Sequence, residues 1–559
     1  MKIFKGLGIV WNSFVSSWSL FASLLVGTGV PTAGGAAADG LGTIHFESPG
    51  GADAHDRIVR GVKLLHHMMY VEADREFTAA IAADPDSGFG YWGRAMAIVH
   101  PLWPDIPDAS DLARGREFIR AGQARALRTE RERAYLGAMA EFFREDLGPS
   151  LPARINAADA AWAAVAARFP DDLDAAAFAA LYHLAPARFA KRDHSRRLQL
   201  EAAAALTRIA EQIPDHPGAL HYRIHALDYP LLAGRALEVC NEYGSEAPDV
   251  PHALHMPTHI YTRLGLWDKS AEFNVRSAVA ARRIWHDQGA LNSHLPHALD
   301  YLAYADLQMG RYARANEVAR EIVTLAGPYQ ATNRPAMAYA FASIPARLAI
   351  ERRDWAAAAR LPLHQPAAFP WGDAYVYCDG LVRFSRALGA VRSGDLKAAE
   401  IERAELAALR DRIVAVIPGS YWAAQADAQI DAVDAWLRLS EGKTDLAVAV
   451  MRRAVETETS TDKEAVTPGE IIPAGELLGE LLEQAGRHAE ARAAFEAQLE
   501  LSPRRFNGLA GAAEAAERSG DAAGAAKHWR ELLEVARDAD AGNARLDAAR
   551  AFLARHSDM

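Results

Sequence analysis

Apolar positions recur at intervals of three and four over most of the chain, and short polar breaks separate them. That spacing places apolar side chains on one stripe of a 3.6-residue helix. The intervening positions are rich in Ala, Leu, Glu and Arg, all good helix formers. Strict alternation of apolar and polar residues, the mark of a half-buried strand, is nearly absent. The breaks are short and carry Gly, Pro or Asp, as turns between packed helices do. The pattern therefore predicts an all-α chain of short antiparallel helix pairs.

The breaks repeat with a period of 34, the length of a tetratricopeptide (TPR) repeat. Counting from Ala54, Gly61 falls at position 8, Ala73 at 20, Phe77 at 24, Ala80 at 27 and Pro85 at 32. Small residues at the helix crossings let two helices approach to ~8–10 Å. A unit from Pro217 puts Ala236, Cys240 and Pro248 in phase, and the next begins 34 residues on, at Pro251, with Gly265 at its turn. Another begins at Pro296, with Gly310 at its turn. Weaker units surround Asp354-Trp355, Gly394-Asp395 and Gly442. Two cleaner ones close the chain, with Gly486, Ala491, Phe495 and Pro503, then Gly520, Ala525 and Trp529. The expected organisation is a TPR α-solenoid. It has an N-terminal array over 54–330, degenerate TPR-like helices over 331–455, a polar loop over 456–471 and a TPR pair over 472–559.

Residues 1–38 read as a cleaved export signal: Lys2 and Lys5, an apolar stretch best defined over Leu20–Val30, and a small-residue run ending Ala36-Ala37-Ala38. Residues 39–53 then read as a linker. A periplasmic or secreted protein is expected, with no membrane span after cleavage.

Nine of the 20 histidines lie between His216 and His297, roughly three times the share an even spread would give. In TPR superhelices, which this sequence resembles, positions 2, 5, 9, 12 and 13 of each first helix line the concave groove. His221, His225 and Asp228 fall at 5, 9 and 12 of one unit, and His252, His255 and His259 at 2, 5 and 9 of the next. His297 and Asp300 fall at 2 and 5 of a third. At ~100° per residue, His252, His255 and His259 share ~60° of one helix face. Imidazoles one turn apart can share an ion, and neighbouring helices ~10 Å apart can supply more ligands. This donor set suits Zn, Fe, Mn, Ni or Cu. Asp228 or Asp300 then serves as ligand, imidazole partner or general base. The same histidines also suit a peptide-binding groove, or plain packing. Pro257 lies between His255 and His259, where it frees the carbonyl of Ala253 and can bend the helix; Pro345 takes the equivalent place before Arg347. His66, Trp92 and His100 extend the predicted groove.

The segments LLHHMMYVEADREF, YWGRAMAIVHPLW, HYRIHALDYP, PHALHMPTHIYTRLGLW and HALDYLAYADLQMGRY span roughly residues 60–315. They resemble a bacterial family of exported TPR proteins, with PHALHMPTHI the most specific piece. A more distant likeness is to the animal tetratricopeptide repeat protein 38 group, which also places paired histidines on successive helices. The resemblance implies the fold and the location of a histidine site, and no particular activity.

A net charge of −11, with no long basic run, argues against a nucleic-acid partner. Cys240 and Cys378 lie far apart outside any zinc-knuckle spacing and read as buried thiols. HExxH, GxSxG and Walker signatures are absent, and no GxGxxG opens a strand–helix unit. Two functions follow: metal-dependent chemistry in the histidine groove, or a scaffold holding a peptide or envelope protein there.

Overall fold

The computed structural model describes residues 40–189, 193–416 and 420–556. The expected export signal lies outside them. The described residues form 25 α-helices, four short 3₁₀ turns and no strand. No helix among them is long and apolar enough to cross a membrane.

Successive helices pack as antiparallel hairpins, and hairpins stack on one another. Each hairpin needs a reversal within two or three residues, which a left-handed backbone provides. Gly265, Gly310, Gly394, Gly442, Gly486 and Gly520 all take it, with φ between 66° and 86°. Met68 (φ 54°) and Arg353 (φ 56°) hold the same conformation in two turns that lack glycine. Close approach is equally visible. The ring of Phe77 lies so near Gly61 and Gly93 that a Cβ there would sit 2.8 and 2.3 Å from it. Phe495 repeats the arrangement between Gly479 and Gly511.

Two apolar cores result, one running from Leu41 to Tyr261 and the other from Trp267 to Phe552. The division falls inside the array expected over 54–330, at the turn around Gly265. Across it, the Pro251–Arg263 and His294–Gln308 helices face each other with His255, His259 and His297 rather than with apolar side chains.

Two segments depart from expectation. Residues 40–51 are not a free linker. Leu41, Ile44 and Phe46 are buried, Thr43 N–H donates to Asp215 O at 3.3 Å, and Phe46 packs on Phe89 with Arg131 over its ring. The polar stretch expected to be a loop is helical as far as Thr459, and its remainder runs inward with Val466, Thr467, Ile471 and Ile472 buried. The C-terminal repeats also fold back on earlier ones. The indole of Trp267 donates to Arg504 O at 2.7 Å, and Asp540 N–H donates to Gly310 O at 3.1 Å.

Candidate metal centre

Three helices build the site: Pro217–Leu227, Pro251–Arg263 and His294–Gln308. Proline at N1 starts the first two, where the missing N–H is an orphan in any case. The Pro251 helix continues through Pro257, so His252, His255 and His259 stay on one face. Small and aromatic neighbours let the three helices meet closely, and the histidines fill the seam. His221, His252, His255, His259 and His297 are buried; His225 is half-buried.

The imidazoles form two groups of three. His255, His259 and His297 bring one ring nitrogen each to within 4.8 Å of the others, and so do His221, His225 and His252. In the first group, hydrogen bonds fix the tautomers. The Asn274 amide nitrogen donates to Ser270 O at 2.8 Å, so its oxygen faces His255 and accepts from Nδ1–H at 2.8 Å. His259 Nδ1–H donates to the Asp228 carboxylate at 3.0 Å. Both Nε2 atoms are therefore unprotonated in the neutral rings, yet they stand 3.0 Å apart. Two lone pairs facing at that distance repel unless a proton or a cation lies between them. In the second group, His221 Nδ1–H donates to the His66 carbonyl at 2.6 Å, which leaves its Nε2 a lone pair.

Burial holds these rings neutral. It lowers His225 to about 3, and neighbouring His259 adds to the effect. His221, His252, His255 and His297 are lowered well below the ordinary imidazole value by burial and by adjacent histidines. His259 is lowered by burial, with Asp228 opposing. A neutral imidazole is the form that ligates a metal.

Asp228 stands at the edge of the first group. Burial works to raise its carboxyl, but the charges of Lys463 and Arg263 and the His259 hydrogen bond outweigh that and hold it well below the carboxylate range. Arg263 Nε donates to it at 2.8 Å, and Lys463 Nζ lies 3.5 Å away. So firmly ionised a group orients His259 and is a poor proton acceptor. Lys463 belongs to the inward-running 460–473 segment. Tyr301 Oη, beside His259, donates to Thr467 O at 3.0 Å, and Arg196 clasps Asp462 at 2.5 and 2.6 Å. This segment closes the site.

The remaining expected residues lie apart from the six imidazoles. Asp300 accepts from Ser343 Oγ at 2.8 Å and pairs with Arg347; burial raises its carboxyl to about 6. Arg347 Nη2 in turn donates to Thr467 Oγ1 and Gly469 O, anchoring the inward segment. Trp92 is a core residue, packed among Phe77, Tyr135, Trp162 and Phe178. His100 is held by Asp105 at 2.7 Å and lies against Tyr70. The His66 ring belongs to a separate buried cluster with Asp174 and His216. There Asp174 is held well below its ordinary range: burial raises it, and the adjoining His216 and His66 more than compensate. His216 Nδ1 accepts from Ala219 N–H, so Nε2 carries the proton and faces Asp174 at 3.4 Å. In that cluster His66 bonds Asp174 at 2.9 Å, while His216 Nε2 faces the carboxylate at 3.4 Å without a hydrogen bond. Cys240 and Cys378 are buried and free.

The sequence reading missed Asn274, Tyr301 and Lys463, which orient or enclose the imidazoles, and did not single out His294, which lies 5.6 Å from His252 ring to ring. Asn274 was accessible in principle, as a polar residue on the buried stripe of the Trp267 helix.

A family model described as tetratricopeptide repeat matches residues 476–505. The sequence matches none of the curated proteins. Among solved structures, the chain is similar to the APC/C hetero-tetramer Cut9–Hcn1, at 12% identity and a TM-score of 0.27, covering 90% of this chain and 89% of that one. It is also similar to the human IFIT1 dimer with m7Gppp-AAAA, at 12% identity and a TM-score of 0.35, covering 87% and 90%. Neither likeness bears on what this chain does. The chain is an all-α solenoid of the tetratricopeptide type.

Proposed function

We propose that the chain binds a transition-metal ion in the imidazole chamber, with His255, His259 and His297 as ligands, and that it supports metal-dependent chemistry at the remaining coordination position. One observation carries this reading: the two Nε2 lone pairs of His255 and His259 converge at 3.0 Å while both Nδ1 protons are engaged elsewhere. The residues fit a borderline metal such as Zn, Cu or Ni, and the absence of cysteine from the group argues against a closed structural zinc site. A bound ion of this kind supplies Lewis acidity and a more acidic bound water. Asp228 fixes the His259 tautomer and ring plane, as carboxylates do for metal-bound imidazoles. We place this activity in the cell envelope, given the signal-like residues 1–38.

The tetratricopeptide-type scaffold is also consistent with a protein-binding module. The inward 460–473 segment already occupies the histidine-lined side, so a partner would use other surfaces.

Elemental analysis of tag-free protein tests the metal reading. At least one equivalent of a transition metal is expected in wild type, with one equivalent fewer in His255→Ala/His259→Ala. A wild-type protein that takes up no metal, yet retains a partner from an envelope extract, would decide for the scaffold.

A further inference from the structure

The other three facing histidines are left without a role by a single ion. We propose that His221, His225 and His252 hold a second ion, so that the chamber is a binuclear, all-imidazole centre. This rests on the metal reading above and extends it.

Three observations carry it. The Nε2 atoms of His221, His225 and His252 are all buried, and none has a hydrogen-bond partner among the described residues. One candidate ligand atom from each lies within 4.8 Å of the others. The Nδ1 proton of His221 goes to the His66 carbonyl, so its Nε2 offers a lone pair to the group. A buried polar nitrogen without a partner costs free energy, and three at one point compound that cost. His221 Nε2 is an acceptor, and with His225 and His252 protonated on Nδ1 all three Nε2 atoms present lone pairs to one point. A cation satisfies all three.

The contrast with the His66 cluster sharpens the point. There a buried carboxylate, Asp174, bonds His66 at 2.9 Å and lies 3.4 Å from His216, so an anion already faces the imidazoles. Among the described residues no carboxylate is grouped with His221, His225 and His252.

The two groups touch. The rings of His225 and His259 lie 6.2 Å apart, and those of His252 and His255 6.3 Å apart. The Pro251 helix serves both sites, with His252 turned to one and His255 and His259 to the other. Six imidazole nitrogens suit Cu, Zn or Ni over Mg or Ca, which take oxygen ligands. His225 and His294 are only partly buried, so the second site lies on the side nearer solvent.

The test uses tag-free, full-length protein stripped with a chelator and dialysed against Cu²⁺, with bound equivalents counted by elemental analysis. Wild type is expected to hold two. His225→Gln/His252→Gln and His255→Gln/His259→Gln are each expected to hold one, with circular dichroism confirming the fold. Electron paramagnetic resonance of loaded wild type needs no variant: coupling between neighbouring Cu²⁺ ions should broaden or remove the isolated-ion signal. One equivalent in wild type, kept in His225→Gln/His252→Gln, overturns the second site and leaves the first standing. Two equivalents with uncoupled spectra overturn the shared centre. No uptake by wild type overturns both readings.

Discussion

Acidification should destabilise the metal-stripped protein steeply, and the cause is specific. His225 and His294 are held near 3 and 4 by burial. His221, His252, His255 and His297 are held well below the ordinary value for the same reason. In the unfolded chain each returns to about 6.5. Between that value and the folded one, the unfolded state binds protons that the folded state refuses, so stability falls as pH falls. From about pH 7.5 to 5.5 each such imidazole costs about 1.4 kcal/mol. His225 and His294 alone give about 2.7 kcal/mol, and all six give roughly 8 kcal/mol as an upper bound, against a typical total stability of about 5–15 kcal/mol. His183, raised by Asp159 and Glu201, acts the other way, as do the carboxyls of Asp300 and Asp306, raised by burial to about 6, and of Glu458, so the net loss is smaller than the imidazole figure. Urea unfolding followed by circular dichroism at a series of pH values reads the slope directly. An unchanged urea midpoint between pH 7.5 and 5.5 would mean that the rings are solvated, and the buried chamber would be refuted.

Other substitutions probe separate contacts. Asp228→Asn removes the charge facing buried Arg263 and Lys463, and should cost about 3–5 kcal/mol. The same change frees the His259 tautomer and should weaken metal affinity about 10–100-fold, read by competition with a chromophoric chelator. Arg347→Met leaves Asp300 buried and unpaired, a loss of about 3–5 kcal/mol. It also releases Thr467 and Gly469, so limited proteolysis should cut within 460–473 earlier than in wild type; equal protection would show that Arg347 does not anchor the segment. Phe46→Ala should cost about 3–5 kcal/mol in thermal or urea unfolding, whereas a true linker would tolerate it with no measurable change.

The helical repeat was legible because turn chemistry is local. Six glycines in the left-handed region mark the hairpin turns, and the expected ones at Gly265, Gly310, Gly394, Gly442, Gly486 and Gly520 all take it. Turns built on Met68 and Arg353 were harder to read, since a strained non-glycine residue gives no compositional signal. The histidine face was legible because helical register alone sets which side chains of the Pro251 helix point together. What register cannot supply is a partner far along the chain. Lys463 meets Asp228 across 235 residues, and His221 meets the His66 carbonyl across 155. The 460–473 segment looks solvated by composition. It is buried because Tyr301, Tyr339 and Arg347 satisfy its polar groups, which no local pattern announces. Trp92 fell on a predicted groove position yet lies in the core, because the 40–51 segment covers it with Phe46. The division of the histidines into two groups depends on ring orientations that the sequence does not specify.

X-ray absorption at the metal edge of tag-free protein, purified without added metal, tests the central claim most directly. The chamber predicts imidazole nitrogen ligands at ~2.0–2.1 Å, with the outer-sphere scattering typical of imidazole rings and no sulfur. An edge with no metal above background, or a coordination sphere made of oxygen or sulfur alone, would contradict it.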